Sequence, residues 1–286
     1  MTTVDSQSQL ANKLYQACLV EVLSRKPGNV MPGNEFTDAT VNDFVVSAKV
    51  SAPILAAVAK IGVGRAIFEA VDATNKAVGH NTNLGILLLL APLAAVPESQ
   101  SLAEGISPVL SGLTTGDADW SYKAIRLAGP GGLGDAEAED VQEAPTQSLQ
   151  ECMRLAADRD LIAAQYSNNY EEVLGVGATW LIESATVVAE SDRMTWLALM
   201  LLSHFGDSLI ARKCGQPTSD DVKNRAQAVL EAGWPHRDSG RQAYVQFDDY
   251  LRSDGNRLNP GTTADMIAAI VFCGLRSGTY VAKAYP

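Results

Sequence analysis

Residues 79–96 read GHNTNLGILLLLAPLAAV, a polar turn followed by the most apolar run of the chain, residues 86–96. This run is 11 residues long and contains Pro92, whereas a helix that crosses a bilayer needs about 20 apolar residues. The stretch therefore predicts a helix buried in a protein core, entered through a turn rich in hydrogen-bonding side chains. Residues 1–9 are polar and include Asp5, which is unlike a signal peptide. We expect a cytoplasmic protein without a membrane partner.

The composition of the whole chain limits the fold class and the kinds of partner that we expect for the protein. The 286 residues are 47% hydrophobic and only 6% aromatic, which is enough apolar material for a full core and typical of helix-rich proteins. Asp and Glu (33) outnumber Lys and Arg (22), so the formal net charge is −11. General nucleic-acid binding needs a basic face, and we exclude that class, although a small anion can still bind in a local basic pocket. Four scattered cysteines predict neither a disulfide framework nor a zinc site.

Outward from residues 79–96, apolar residues recur at helical spacing along almost the whole chain. No strand pattern, internal repeat or low-complexity linker interrupts them. The sequence predicts an all-α fold, a multi-helix bundle of about ten to twelve helices in a single domain spanning residues 1–286. The expected helices include residues 43–61, 147–165 and 168–189, and the acidic stretch 135–143 is expected to be a surface loop.

Unusual polar and glycine residues gather at the ends of these helices. Four clusters cover residues 25–29 (RKPGN), 79–85 (GHNTNLG), 207–215 (DSLIARKCG) and 259–265 (NPGTTAD). Cations beside a helix end and free N–H groups at a helix N-terminus suit a phosphate. The same residues also serve as ordinary caps or complement the helix dipole. For the third cluster, residue spacing does not distinguish a carboxylate that binds a metal ion from charged residues that complement the helix dipole.

The glycine-rich segment 129–134 matches the pattern G-x-G-x-x-G. A dinucleotide-binding fingerprint follows a strand and opens a helix, whereas here a predicted helix precedes the glycines and an acidic loop follows them. We interpret the segment as a tight turn or a flexible lid, around which Asp117, Asp135 and Asp140 could bind a cation. The chain has no G-x-S-x-G elbow or Walker A sequence, and its three histidines lack metal-ligand spacing. A Ser/His/Asp hydrolase therefore has no specific support.

In this order, the four clusters resemble the triphosphoribosyl-dephospho-CoA synthase family. The family's Lys-Pro-Gly motif after the first helix is matched by residues 26–28, and its Gly-Thr-Asn-Thr-His-Lys-Gly motif is similar to residues 79–85. Its Asp-Thr-type motif with downstream basic residues resembles residues 207–215, and its Pro-Gly-Gly-Ser-Ala-Asp motif resembles residues 260–265. The resemblance covers nearly the whole chain.

The chain also departs from the family pattern. Asn83 and Leu84 stand where the family has His-Lys, so one basic residue is absent, and Met31 replaces an often polar position. Segments 129–134 and 158–160 look like a divergent branch of the family, in which the acceptor can differ.

The resemblance implies an all-helical transferase that moves the 5-triphosphoribosyl group of ATP to the 2'-hydroxyl of 3'-dephospho-CoA and releases adenine. The product is the precursor of the prosthetic group of acyl carrier proteins in citrate or malonate lyase-type systems. ATP, dephospho-CoA or a similar acceptor, and Mg²⁺ are the expected ligands, and a homodimer is allowed. Two alternatives stay open: another ATP-dependent transferase or kinase that makes a different cofactor, and a nucleotide-binding homologue without catalysis.

Site residues follow from the motif positions. Those expected to bind the nucleotide are Lys26, Gly28, Asn81, Thr82, Arg212, Lys213, Gly261 and Thr262. Asp207 is expected to be catalytic and to bind Mg²⁺, with Asp265 as its partner. Glu21, one turn before Lys26, is the candidate base that activates the acceptor hydroxyl. A structural glutamate that caps a neighbouring helix is an equal interpretation of Glu21.

Overall fold

The computed structural model describes residues 3–131 and 138–282, and this part of the chain is all-α, as predicted. Its only extended pairing is an isolated bridge between Met31 and Asn34. The 15 α-helices exceed the ten to twelve expected. They are α1 (Thr3–Leu23), α2 (Val41–Leu55), α3 (Val58–Ile61), α4 (Val63–Val78), α5 (Leu84–Ala95), α6 (Leu102–Ser111), α7 (Thr115–Ala128), α8 (Leu149–Arg154), α9 (Leu161–Ser167), α10 (Ala178–Val187), α11 (Arg193–Phe205), α12 (Ser208–Cys214), α13 (Gln216–Glu231), α14 (Asp238–Arg252) and α15 (Gly261–Ser277).

Two of the expected helices are each divided into two α-helices, which raises the number, and a third starts differently from the expectation. The expected helix 43–61 divides into α2 and α3 just after Pro53, which lacks an N–H for the last turn of α2. The expected helix 147–165 divides into α8 and α9, because the Asp160 carboxylate accepts hydrogen bonds from two amides and starts a new helix there. The expected helix 168–189 begins with a π-helical turn before α10.

Two hydrophobic clusters form the core. The larger is built mainly by α1, α2, α4, α5, α7 and α15, and the smaller mainly by α11, α13 and α14. Every residue of α5 from Ile86 to Ala94 is buried, so the buried helix predicted from residues 86–96 is confirmed. The single-domain expectation stays a prediction. In the described part of the chain, no single helix has the length and apolar composition of a bilayer span, although the bent pair Glu190–Phe205 and Ser208–Cys214 meets both criteria when taken together.

The N-termini of α5, α9, α12 and α15 lie beside one cleft. Three of them are joined directly by Ser208, the first residue of α12. Its hydroxyl accepts a hydrogen bond from the Leu161 amide of α9 (3.2 Å) and contacts the Thr262 hydroxyl of α15 (3.0 Å). Helix N-termini carry partial positive charge, so this arrangement directs the positive ends of several helix dipoles at the cleft.

Candidate active site

The cleft has a volume of about 1100 Å³, which exceeds the upper end of about 1000 Å³ that is usual for a single small ligand. Eight of the eleven predicted site residues line it: Glu21, Asn81, Thr82, Arg212, Lys213, Gly261, Thr262 and Asp265. Three others, Lys26, Gly28 and Asp207, do not. The eight come from α1 and from three of the four sequence clusters, and Asn29 of the remaining cluster, residues 25–29, also lines the cleft.

Lys26 is buried beneath the cleft, with 2% of its surface exposed. Its ammonium lies 3.1 Å from the Glu21 carboxylate and donates hydrogen bonds to the carbonyl oxygens of Glu21 and Ser24. Because these groups close the end of α1, Lys26 holds Glu21 in place. The expected nucleotide-binding role of Lys26 stays a prediction.

Gly28 also has a structural role. Its φ of +67° is in the left-handed region, and a Cβ at this position would lie 2.5 Å from the Leu251 Cβ. Its amide donates a hydrogen bond to Asp248 Oδ1 (2.6 Å). The glycine of the Lys-Pro-Gly motif therefore permits a tight turn against α14. Its expected nucleotide contact stays a prediction.

Glu21 is the acidic side chain at the floor of the cleft contributed by α1. Only 3% of its surface is exposed, and burial raises the pKa of its carboxyl while the Lys26 ammonium lowers it. Its carboxylate partner among the described residues is Lys26. It caps no neighbouring helix there, and its role as the candidate base stays a prediction.

Asp207 has a carboxylate fully engaged by the protein. Oδ1 accepts hydrogen bonds from the amides of Leu209 (3.0 Å) and Ile210 (3.1 Å), which caps α12. Oδ2 accepts from the Thr263 amide and hydroxyl, both at 2.8 Å, in the first turn of α15. The side chain is 1% exposed, and burial raises its pKa while the hydrogen bonds oppose that shift. The expected catalytic and metal-binding roles of Asp207 do not fit this geometry.

The described residues do not fit the magnesium site expected at Asp207 and Asp265. They contain no group of three His, Cys, Asp or Glu side chains that could hold a metal ion. A cation site was also suggested around the glycine-rich segment. There, Asp117 caps α7 and accepts a hydrogen bond from the Gly64 amide (2.9 Å). Asp135 lies outside the described residues. No mechanistic step below depends on a protein-held metal.

The glycine-rich segment follows α7 directly, with Gly129 as the left-handed residue that ends that helix. A helix and not a strand precedes it, in agreement with our rejection of a dinucleotide fingerprint. The Gly131 carbonyl accepts a hydrogen bond from Arg212 Nε (3.2 Å), so the segment begins at the rim of the cleft. Residues 132–137 lie outside the described residues.

The basic rim of the cleft is formed by Arg159, Arg212 and Lys213. Arg212 Nη1 forms an ion pair with Asp160 Oδ2 at 2.7 Å. Asp160 was not among the predicted site residues. Its position immediately before the apolar residues of α9 is an N-cap signal that sequence reasoning could have used.

The polar turn before α5 contributes hydrogen-bonding groups to the same cleft. Asn81 Oδ1 accepts from the Leu84 amide (3.1 Å), and the Thr82 hydroxyl donates to Ser47 Oγ (2.7 Å). The capping residues of α5 and α15, Asn83 and Pro260, make no side-chain cap hydrogen bond. Three first-turn amides of these helices are already bonded, Leu84 to Asn81, Gly261 to the Asn259 carbonyl and Thr263 to Asp207. The other first-turn N–H groups are the ones that can face an anion.

Asp265 is the fifth residue of α15, just beyond its first turn, and lies against Gly85 of α5. A Cβ at Gly85 would overlap the Asp265 carboxylate, so the glycine makes room for it. The Asp265 side chain makes no hydrogen bond or ion pair with the described residues. Burial, followed by the charges of Glu21, Asp207 and Asp160, raises its pKa well above the usual range, and Arg212 opposes the shift.

Comparison with known proteins identifies the family. The family model CitG, ATP:dephospho-CoA triphosphoribosyl transferase, matches residues 7–283. A crystal structure of an Archaeoglobus fulgidus protein, provisionally described as a triphosphoribosyl-dephospho-CoA synthase, superposes with a TM-score of 0.64 at 24% identity, covering 82% of this chain and 99% of that one. This likeness supports the fold alone, and no curated protein matches the chain. With nearly its whole length matched by the family model, the chain belongs to the CitG family of ATP:dephospho-CoA triphosphoribosyl transferases.

Proposed function

We propose that this cleft binds ATP and dephospho-CoA together and transfers the 5-triphosphoribosyl group of ATP to the 2'-hydroxyl of dephospho-CoA, with release of adenine. The observation that carries the proposal is the placement of Glu21, Arg212 and the turn 81–83 around one cleft of about 1100 Å³. Phosphate-binding groups and a buried carboxylate are the two components that such a transfer needs. One domain spanning residues 1–286 and a homodimer stay predictions.

The triphosphate is proposed to lie between the basic rim and the first turns of α5 and α15. A chain with a net charge of −11 repels a polyphosphate at long range, so local donors must compensate. Backbone N–H groups, the side chains of Asn81 and Thr82, and the cations Arg212 and Lys213 supply them. Gly261 and Thr262 lie where the α15 backbone can approach a phosphate. Arg212 pairs with Asp160, and a phosphate would compete for that guanidinium.

Mg²⁺ is proposed to enter with the triphosphate and to neutralise part of its charge. This supports the expected Mg²⁺ requirement without the Asp207 and Asp265 ligands.

Glu21 is proposed to accept the proton of the acceptor hydroxyl. Cleavage of the bond between ribose C1' and adenine passes through a state with positive charge on the sugar, as in glycoside hydrolysis. A carboxylate beside C1' stabilises that charge and removes the proton as the new C1'–O bond forms. Burial raises the pKa of Glu21, and the Lys26 ammonium at 3.1 Å opposes that rise and so favours the anion that the base needs.

The test is to incubate the protein with ATP, Mg²⁺ and dephospho-CoA and to measure free adenine by chromatography. We expect adenine in equimolar amount with the transferred product, and only when dephospho-CoA is present. Formation of ADP without adenine would identify a kinase. Binding of ATP without any product would identify a nucleotide-binding protein, and either result would overturn the proposal.

Gly85→Ala is expected to lower kcat about 10- to 100-fold, because the new methyl group displaces the Asp265 carboxylate and a 1 Å error in a site can cost that much. Gly116→Ala is the matched control: it occupies the same second position of α7, where a Cβ meets only the Thr114 hydroxyl at 3.4 Å. Steady-state adenine release compares the two variants. Equal activities would show that the contact between Gly85 and Asp265 has no functional importance.

A further inference from the structure

The proposed transfer moves two protons, and Glu21 accounts for only one of them. The acceptor hydroxyl loses a proton, while adenine, a poor leaving group as an anion, must gain one on a ring nitrogen. A second group in the cleft must therefore act as an acid. Glycosyl transfer commonly uses a pair of carboxyl groups for these two tasks.

Most acidic groups of the cleft other than Glu21 are already engaged. Asp160 caps α9 and pairs with Arg212, and Glu139 accepts hydrogen bonds from the Thr146 amide and hydroxyl. Asp38 is exposed at the mouth. Asp265 differs, because its carboxyl group faces the cleft with no hydrogen bond from the described residues, in a space that only a glycine at position 85 leaves open.

The carboxylates of Glu21 and Asp265 both influence the same buried thiol, that of Cys18. Cys18, one turn before Glu21 on α1, is influenced by both carboxylates, which together with burial raise the pKa of its thiol to about 12. The two acids line the same cleft, one from α1 and one from α15. Only Glu21 has a buried cation of its own, Lys26 at 3.1 Å.

We propose that Asp265 is the general acid that protonates the departing adenine, and that Glu21 and Asp265 share a single proton as an acid–base pair. The inference rests on the proposed function. Because Lys26 stabilises the anion of Glu21, the shared proton lies on Asp265 before the reaction.

The step is balanced in atoms and electrons. The bond between C1' and adenine N9 breaks, its electron pair goes to the base, and the Asp265 proton goes to a ring nitrogen. The bond between C1' and the acceptor oxygen forms, and the hydroxyl proton goes to Glu21. A proton then passes from Glu21 to Asp265, so the pair is restored and no other reactant is consumed.

Charges around the pair determine the pH dependence. Burial, followed by the charges of Glu21, Asp207 and Asp160, raises the pKa of Asp265, and Arg212 opposes the shift. Burial also raises the pKa of Glu21, and Lys26 opposes that rise. We therefore expect kcat/KM to fall at low pH as Glu21 gains a proton, and to fall at high pH as Asp265 loses its own. A raised pKa for Asp265 extends the pH range in which the enzyme is active to higher pH.

The decisive experiment compares Asp265→Asn with two nucleotides, ATP and N7-methyl-ATP. The methylated base carries a positive charge and leaves as a neutral molecule without an added proton. With ATP we expect kcat to fall about 100- to 10,000-fold, and with N7-methyl-ATP less than about tenfold. Glu21→Gln should lower the rate with both nucleotides. Asp38→Asn, the cleft-mouth control, should not change the ratio of the two rates.

Equal losses with both nucleotides in Asp265→Asn would overturn the inference. If that variant does not fold, the unmodified protein still decides: the high-pH fall of kcat/KM should be present with ATP and absent with N7-methyl-ATP, and its persistence with both would contradict an acid role. Failure of the proposed function looks different, because the unmodified protein would then release no adenine from ATP at any pH.

Discussion

Replacing Glu21 by glutamine is expected to lower kcat about 100- to 10,000-fold, the usual contribution of a general base. Glutamine keeps the size of the side chain but cannot accept the hydroxyl proton. The groups proposed to bind triphosphate lie on α5, α12 and α15, so KM for ATP should change by less than about threefold. Initial rates of adenine release at varied ATP and dephospho-CoA measure both parameters.

The control for this prediction separates catalysis from folding. Glu21→Gln leaves the buried Lys26 ammonium without its carboxylate, which destabilises the protein, so thermal unfolding must be measured with the rate. Glu139→Gln changes another cleft carboxylate that bonds Thr146 and should keep kcat within about tenfold. A Glu21→Gln variant that unfolds at a lower temperature but keeps its kcat would assign Glu21 a structural role only.

Replacing Asp207 by alanine is expected to lower the free energy of unfolding by about 4 kcal/mol or more. The substitution removes an N-cap, which alone costs about 1 kcal/mol, and it leaves buried donors of Ile210 and Thr263 without an acceptor, each at about 1 to 3 kcal/mol. The donors are the Ile210 amide (3.1 Å) and the Thr263 amide and hydroxyl (2.8 Å). Urea unfolding followed by circular dichroism measures the change.

Asp160→Ala is the matched comparison, because Asp160 caps α9 in the same way but in a less buried position. Its expected loss is about 1 kcal/mol. Asp207→Asn tests the alternative role. If Asp207 bound a metal, that variant would need more Mg²⁺ for half-maximal activity while remaining nearly as stable as the original protein, and such a result would reverse our assignment.

Local sequence was sufficient for some features. The apolar run 86–96 fixed the burial of α5, because a helix apolar on all sides has only the core in which to lie. The order of four short motifs was enough to predict that Glu21, Asn81, Arg212 and Asp265 meet in one cleft. These features depend on composition or on motif order, both of which are visible in a linear chain.

Roles that depend on tertiary partners were not predictable. Lys26 could point to the cleft or to the end of α1, and the turn after α1 determines which. The spacing of Asp207 to Leu209 and Ile210 is an N-cap pattern, but its second partner, Thr263, lies 56 residues away. The break between α8 and α9 depended on Asp160, a capping residue within an otherwise helical pattern.

The hydrogen bonds of Asp207 have a consequence for how the molecule opens. Ile210 of α12 belongs to the smaller hydrophobic cluster, whereas the residues of α15 from Met266 to Cys273 belong to the larger. One buried carboxylate thus links both, and separating the clusters would break its two hydrogen bonds to Thr263. We expect amide protons of α12 and α15 to exchange with solvent in a single cooperative event. We therefore expect the floor of the cleft to be ordered before a substrate binds. The entropic cost of ordering the site then opposes folding and not binding.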